Sequence, residues 1–290
     1  MSAGSATTPA VSILLAVKDG ERHLPETLET LLAQDLREFE LIAVDDGSRD
    51  RTAEILAGFA ARDPRLRLES NPEPQGLASS LNRALALARA PLCARADGDD
   101  LYAPHRLSRQ AARMAGAPEL GVLSCGFRRI DETGAEIDLQ APTTGDAFIR
   151  FQMLFMNALL HPGVMFRTDL VRSVGGYDPA YWTAQDSDLW ARLLPLTRMD
   201  NLPEPLVSYR IHSASIMKTR GEAGRALSLS VPRRLLSAYL GRDLPEAEAR
   251  AGVELYQGFV RMDPAAVRLG ARILAETARV ARAREPAAGR

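Results

Sequence analysis

Residues 39–48 read Phe-Glu-Leu-Ile-Ala-Val-Asp-Asp-Gly-Ser, an apolar run that stops abruptly at two carboxylates and a turn. Such a run, rich in branched residues, reads as a strand buried on both faces. Upstream, Val11-Ser-Ile-Leu-Leu-Ala-Val17 repeats the pattern between Pro9 and Asp19-Gly20. Between the two strands, Arg22 to Gln34 places Leu24, Leu28, Leu31 and Leu32 on one helical face. Downstream, Arg51–Ala61 predicts a helix striped by Ile55, Leu56 and Phe59, Arg65–Leu68 a short strand and Leu77–Ala88 another helix. Pro91–Ala94 then leads a further strand into Asp97-Gly-Asp-Asp100. This alternation predicts βαβ units with right-handed crossovers: an α/β fold whose mainly parallel central sheet is flanked by helices.

The pattern changes after residue 120. Gly121–Ile130 reads as a strand, Asp131-Glu-Thr-Gly134 as a turn, and Ala135–Leu139 as its hairpin partner. Ala147–Leu160 reads as a helix, Gly163–Phe166 as a strand, and Asp188–Leu194 as a helix ended by Pro195. Leu206–Ile211 is the last predicted strand. Beyond it, Ala, Leu and Arg recur at helical spacing, which divides the chain into an α/β domain over 1–221 and a helical C-terminal extension over 222–290.

Composition narrows the function classes. A formal net charge of −1 argues against a general nucleic-acid binder. Two cysteines, Cys93 and Cys125, are too few for a disulfide scaffold and lie in no metal-ligand spacing, which points to a reducing compartment. No apolar run approaches the roughly 18 residues of a membrane span, and Val11–Val17 is too short for a signal peptide. The expectation is a soluble cytoplasmic protein.

Four constellations carry chemistry. Asp45-Asp46 sits at a strand end, where open α/β sheets bind ligands, and can accept hydrogen bonds from a base or from ribose hydroxyls; an Asx turn with a helix cap is the plain alternative. Asp97-Gly98-Asp99-Asp100 puts three carboxylates within four residues, a repulsion that a divalent cation relieves. Gly98 lets backbone approach a diphosphate, although a solvated acidic loop would show the same residues. Gln185-Asp-Ser-Asp188 opens a helix, where a carboxylate serves either as a general base or as a helix-dipole partner. In Tyr209-Arg-Ile-His212, Arg210 and His212 share one strand face and suit a pyrophosphate.

Taken together, Val11–Gly20, Phe39–Thr52, Gln75–Asp100, His161–Leu193 and Tyr209–Ser215 resemble a family 2 glycosyltransferase of the GT-A type, in the order of that family and over roughly residues 10–216. The resemblance implies an inverting transfer of sugar from a nucleoside diphosphate donor, UDP-linked by preference, to a saccharide or lipid-linked hydroxyl, in polysaccharide or glycoconjugate synthesis. It implies that Asp45 and Asp46 contact base and ribose, and that Ala16 and Val17 line the base pocket. Asp97 and Asp99 would hold Mn²⁺ or Mg²⁺ against the diphosphate, and Asp186 would be the base. Arg210 and His212 would lie over the diphosphate, with Asp188, Trp182 and Trp190 on the acceptor side.

Two departures stand out. Lys18-Asp19 replaces the family's aromatic and amide after the first strand, and Gln185 replaces the usual Glu before Asp186. They motivate one alternative, a catalytically silent nucleotide-sugar binding module; a sugar nucleotidyltransferase is a second. His23 and His105 read as helix-start residues, and His161 as either structural or donor-facing. Val267–Arg284 reads as a basic amphipathic helix, either packed on the domain or another subunit or lying peripherally on a membrane.

Overall fold

A computed structural model describes residues 8–211, 221–258 and 263–284. Strand and helix alternate as the apolar runs predict: β1 (Val11–Val17), α1 (Leu24–Leu32), β2 (Phe39–Asp45), α2 (Thr52–Ala60), β3 (Leu66–Ser70), α3 (Leu77–Leu87) and β4 (Leu92–Ala96). Then follow β5 (Leu101–Tyr102), α4 (Arg106–Ala115), β6 (Leu120–Ile130), β7 (Glu136–Gln140), α5 (Asp146–Gln152), a 3-10 turn (His161–Gly163), β8 (Met165–Arg167), α6 (Thr168–Ser173), α7 (Gln185–Leu193) and β9 (Arg198–Arg210). Three helices end the chain: α8 (Gly221–Leu240), α9 (Glu246–Tyr256) and α10 (Pro264–Arg284).

The sheet runs β3-β2-β1-β4-β8-β6-β9-β5, with β7 on the outer part of β6. The first four strands are parallel, and every residue of β1 and β2 is buried, as unbroken apolar runs require. β8 then inserts antiparallel between β4 and β6, while β9 runs parallel to β6. Register decides what meets at the edge. Val17 pairs with Asp45 and Leu15 with Ala96, so the acidic clusters that follow β2 and β4 emerge side by side.

The loops after β1 and β2 interlock. Asp19 N–H donates to Ser48 Oγ at 2.9 Å, and Arg49 N–H donates to Asp19 Oδ1 at 2.8 Å. Gly20 N–H reaches Thr52 Oγ1, and Glu21 N–H reaches Asp50 Oδ2. Lys18-Asp19, odd by the family pattern, thus contributes a loop tie through Asp19.

The chain forms two compact units, one of Met1–Asp146 with Leu159–Thr219 and one of Ala147–Ala158 with Arg220–Arg290. Within the second, Leu154, Phe155, Leu229, Leu236, Leu244, Ala249, Val253 and Ile273 form the core, and Phe155 stacks on Tyr256 at 4.5 Å between ring centroids. Residues 147–158 therefore pack with the C-terminal helices, a grouping that a division at residue 221 does not contain.

Two elements differ from expectation. The helix read over Ala147–Leu160 ends at Gln152. The last strand starts at Arg198, not Leu206, because Pro203 and Pro205, which cannot donate to a ladder, hide its first half. The sheet absorbs them with register shifts on either side of Gly126.

Gly47 tests how closely the turn after β2 sits against the β3–α3 loop. Its φ is +67°, and a Cβ there would stand 2.9 Å from the backbone nitrogen of Pro74. Gly47→Ala is expected to cost roughly 1–3 kcal/mol, read as a lower denaturant midpoint; an unchanged midpoint would show that the turn after β2 can draw away from Pro74 freely.

Candidate active site

The turn after β4 is built from below by buried cations. Arg95, a lone charge in an apolar strand, is fully buried and donates through Nη2 to Asp97 Oδ1. Its Nε and Nη1 have no hydrogen-bond partner. Tyr102, one turn on, accepts the Asp97 N–H at 2.6 Å and points its hydroxyl back to Asp97 O at 3.2 Å. A second buried guanidinium, Arg106, donates to Arg95 O at 2.8 Å and lies 4.8 Å from the centroid of the Tyr102 ring. Gly98 rests on β1, where a Cβ would meet Val17 Cγ2 at 3.0 Å.

The carboxylates of this turn differ in environment. Asp97 and Asp99 are partly exposed, whereas Asp100 is fully buried. Burial raises the Asp97 carboxyl, with Arg95 opposing and Asp99 adding to the rise. Burial, then Asp99 and Asp97, push Asp100 well above the usual carboxylate range. Asp100 Oδ1 accepts the Arg210 N–H at 2.8 Å, and its buried Oδ2 has no partner.

The donor set fits a hard divalent cation. Two partly exposed carboxylates stand two residues apart beside a buried, unpartnered carboxylate oxygen, and all are oxygen donors. Among the described residues no group of three His, Cys, Asp or Glu side chains could hold a metal by itself. Two carboxylates suit an ion whose remaining positions go to phosphate oxygens and water.

Asp45 and Asp46 are both buried at the end of β2, where Asp46 N–H donates to Val17 O at 2.8 Å. Ala16 and Val17 are buried next to them. Asp45 Oδ1 takes both the N–H and the hydroxyl of Ser48. Asp46 is occupied more heavily. Its Oδ1 accepts from Asn71 Nδ2, Gln75 N–H and Ser80 Oγ at 2.7–2.9 Å, and its Oδ2 from Gly76 N–H at 2.9 Å. Burial alone would raise the Asp46 carboxyl, but these four bonds together hold it below the usual range. Asp46 anchors the β3–α3 loop, a duty that leaves little capacity for nucleotide hydroxyls.

Three assignments made from the sequence are corrected by side-chain direction. Arg210 is 2% exposed and clamps the acidic turn from behind: Nε donates to Asp99 O, Nη1 to the carbonyls of Asp131 and Glu132, and Nη2 to Glu26. Asp188 is buried on α7 and accepts from Arg192 Nε at 2.8 Å, one helical turn on. Trp190 is fully buried, packed on His161 and Phe166, with its indole N–H unpartnered. Trp182, by contrast, is 53% exposed at the start of the same motif. His212 lies outside the described residues.

Asp186, partly exposed in the first turn of α7, bonds Ser187 N–H at 2.7 Å. Gln185 before it is buried, with its amide oxygen unpartnered. Behind them, His161 Nε2 and the Tyr177 hydroxyl are 3.0 Å apart. Burial, then Arg95, push His161 far below its usual range, so it is a neutral imidazole. Burial raises the Tyr177 phenol; Arg95 opposes, and Asp186 and Asp97 add to the rise. Tyr177 thereby lies within electrostatic reach of both candidate catalytic segments. Sequence reasoning missed Arg95, Arg106, Tyr102 and Tyr177, although a single Arg inside the strand Leu92-Cys-Ala-Arg-Ala96 was the visible signal. Both cysteines are free and buried, which pushes Cys93 up to about 12 and Cys125 to about 11 and leaves inert thiols.

Comparisons with known proteins bear on the family and the fold. The model of glycosyl transferase family 2 matches residues 12–172. The chain is 31% identical over 214 residues to the O-antigen biosynthesis glycosyltransferase WbnJ of Escherichia coli, covering 72% of this chain and 82% of that one. It is 34% identical over 206 residues to the putative glycosyltransferase EpsE of Bacillus subtilis, covering 70% and 73%. Among solved structures, S. aureus TarS 1–349 in complex with UDP-GlcNAc superposes with a TM-score of 0.66 at 17% identity, over 93% of this chain and 81% of that one. The mannosyltransferase PcManGT of Pyrobaculum calidifontis, in complex with GDP-Man and Mn²⁺, gives 0.63 at 20%, over 94% and 76%.

Asp46→Asn keeps the side chain's shape but cannot receive all four donors, and is expected to cost roughly 1–3 kcal/mol. Because the folded Asp46 carboxyl sits below its usual 3.8, its contribution is present above that pH and lost as pH falls through the folded value. Urea melts from pH 7 to pH 2 should therefore show the gap between wild type and variant closing only below about pH 4. A gap constant across that range would contradict the assignment.

Proposed function

The chain belongs to glycosyl transferase family 2 and is a glycosyltransferase of the GT-A fold, and from that premise we propose that it moves a sugar from a nucleoside diphosphate donor to a hydroxyl acceptor with inversion. The observation that carries the reading is the partly exposed Asp97/Asp99 pair, fixed by Arg95 and Tyr102 next to the ends of β1 and β2. The neighbour structures bind UDP-GlcNAc and GDP-Man, which supports a nucleotide-sugar donor, with a UDP-linked donor kept as the first expectation. The relative WbnJ is named for O-antigen biosynthesis, which supports a polysaccharide or glycoconjugate pathway and a saccharide or lipid-linked acceptor.

In this reading Ala16, Val17, Asp45 and Gly98 form the donor wall, and Asp46 shapes it by holding the β3–α3 loop. A bound Mn²⁺ or Mg²⁺, held by Asp97 and Asp99, would supply Lewis-acid stabilisation of the departing diphosphate. Asp186 takes the proton of the attacking hydroxyl as its oxygen bonds the anomeric carbon and the carbon–phosphate-oxygen bond breaks. One displacement suffices, so no carboxylate acts as a covalent nucleophile. Trp182 offers an exposed aromatic face to a sugar ring. Gln185 is a neutral amide in a buried place where a carboxylate would be costly, and it leaves Asp186 without a like charge beside it.

Asp186→Asn is expected to lower turnover by roughly 10²–10⁴-fold, with the unfolding midpoint and nucleotide affinity kept. Asp99→Ala is expected to lose both turnover and Mn²⁺-dependent nucleotide binding. Wild-type rates in both would remove the assigned roles, and donor binding with neither transfer nor donor hydrolysis in the wild type would identify a silent binding module.

A further inference from the structure

α10 carries a charge pattern that glycosyl transfer does not use. Its buried positions, Gly270, Ile273 and Thr277, lie on one face. Arg268, Arg272, Arg279 and Arg282 are all exposed on another, within an arc of about 80° and over about 21 Å of helix. The single carboxylate of α10, Glu276, is turned to Arg242 at 2.9 Å. Among the described residues none of the four arginines is in a salt bridge, although Arg268 and Arg279 lie within electrostatic reach of Asp263 and Glu276. The surface between the cations is small and apolar: Ala271 and Ala275, with half-buried Leu269 and exposed Val267 beside them.

We propose that this face of α10 docks on an anionic lipid bilayer. Charge complementarity carries the inference, because a chain of net charge −1 here gathers four exposed guanidiniums into one line. A straight row of cations matches a planar anionic surface, and small apolar groups between them suit the headgroup boundary. The stripe holds no aromatic side chain on which a base could stack, which disfavours a nucleic acid. No helix among the described residues is long and apolar enough to cross a membrane, so the contact lies on the surface. With Ala prevailing over large apolar groups, attachment is electrostatic and reversible.

The test is co-sedimentation of the full chain with vesicles of phosphatidylcholine alone or mixed with phosphatidylglycerol. Binding is expected only to the mixed vesicles and is expected to be lost at high salt. Each Arg→Gln change in the stripe should weaken partitioning about fivefold, so Arg272→Gln with Arg279→Gln should lose more than tenfold at an unchanged melting temperature. Arg22→Gln, outside α10, should have no effect. Equal binding to neutral vesicles, no binding to anionic ones at low salt, indifference to the stripe substitutions, or preferential capture of a DNA duplex would each overturn the proposal. The readout needs no sugar donor, so it stands or falls apart from the transferase reading.

Discussion

Three carboxylates confined to four residues at the end of a buried strand would not stay together on their own. Removing even one of them from water costs several kcal/mol without a compensating charge or hydrogen bond. The fold meets that cost with cations placed beneath and behind: Arg95 on Asp97, Arg210 through its backbone N–H on Asp100 and its Nε on Asp99 O, and Arg106 supporting Arg95 and Tyr102. The elements converge to make this possible. β5 pairs with β9 to bring Arg210 up to the turn, and Arg95 reaches Asp97 because both project to the same side, two residues apart.

Burial also sorts the carboxylates. Asp46 and Asp188 are buried and bonded to protein donors, so each fixes a segment: the β3–α3 loop and the ties of α7 to the carbonyls of Val174 and Gly176 through Arg192. Asp97, Asp99 and Asp186 are each partly exposed. Tyr177 is buried and stays a neutral phenol, with Arg95 and Asp186 acting on it in opposite senses.

Much of the fold was legible because buried strands announce themselves: β1 and β2 are apolar throughout, and their acidic ends fall where parallel strands finish. The parts that were not legible share one cause. Asp186 and Asp188 look alike as letters, yet two residues on a helix are about 200° apart, so one is partly exposed and the other is buried against Arg192. Arg210 and Trp190 fit a motif by position, but only tertiary packing shows one to be a clamp and the other core. Pro203 and Pro205 hid half of β9, since the local rule against proline in a strand was overridden by bulges in its neighbour. Arg95 was readable in principle, as a charge in a strand with nowhere polar to go.

If the Asp97–Asp99 turn receives a nucleoside diphosphate together with a divalent cation, the two ligands bind cooperatively. Calorimetric titration of the chain with UDP, GDP and dTDP, each with and without Mn²⁺, tests it most directly. The account predicts that one nucleotide binds at least about tenfold more tightly with the metal than without it, a coupling of about 1.4 kcal/mol. Equal affinity in both conditions, or no binding to any of the three, would contradict it.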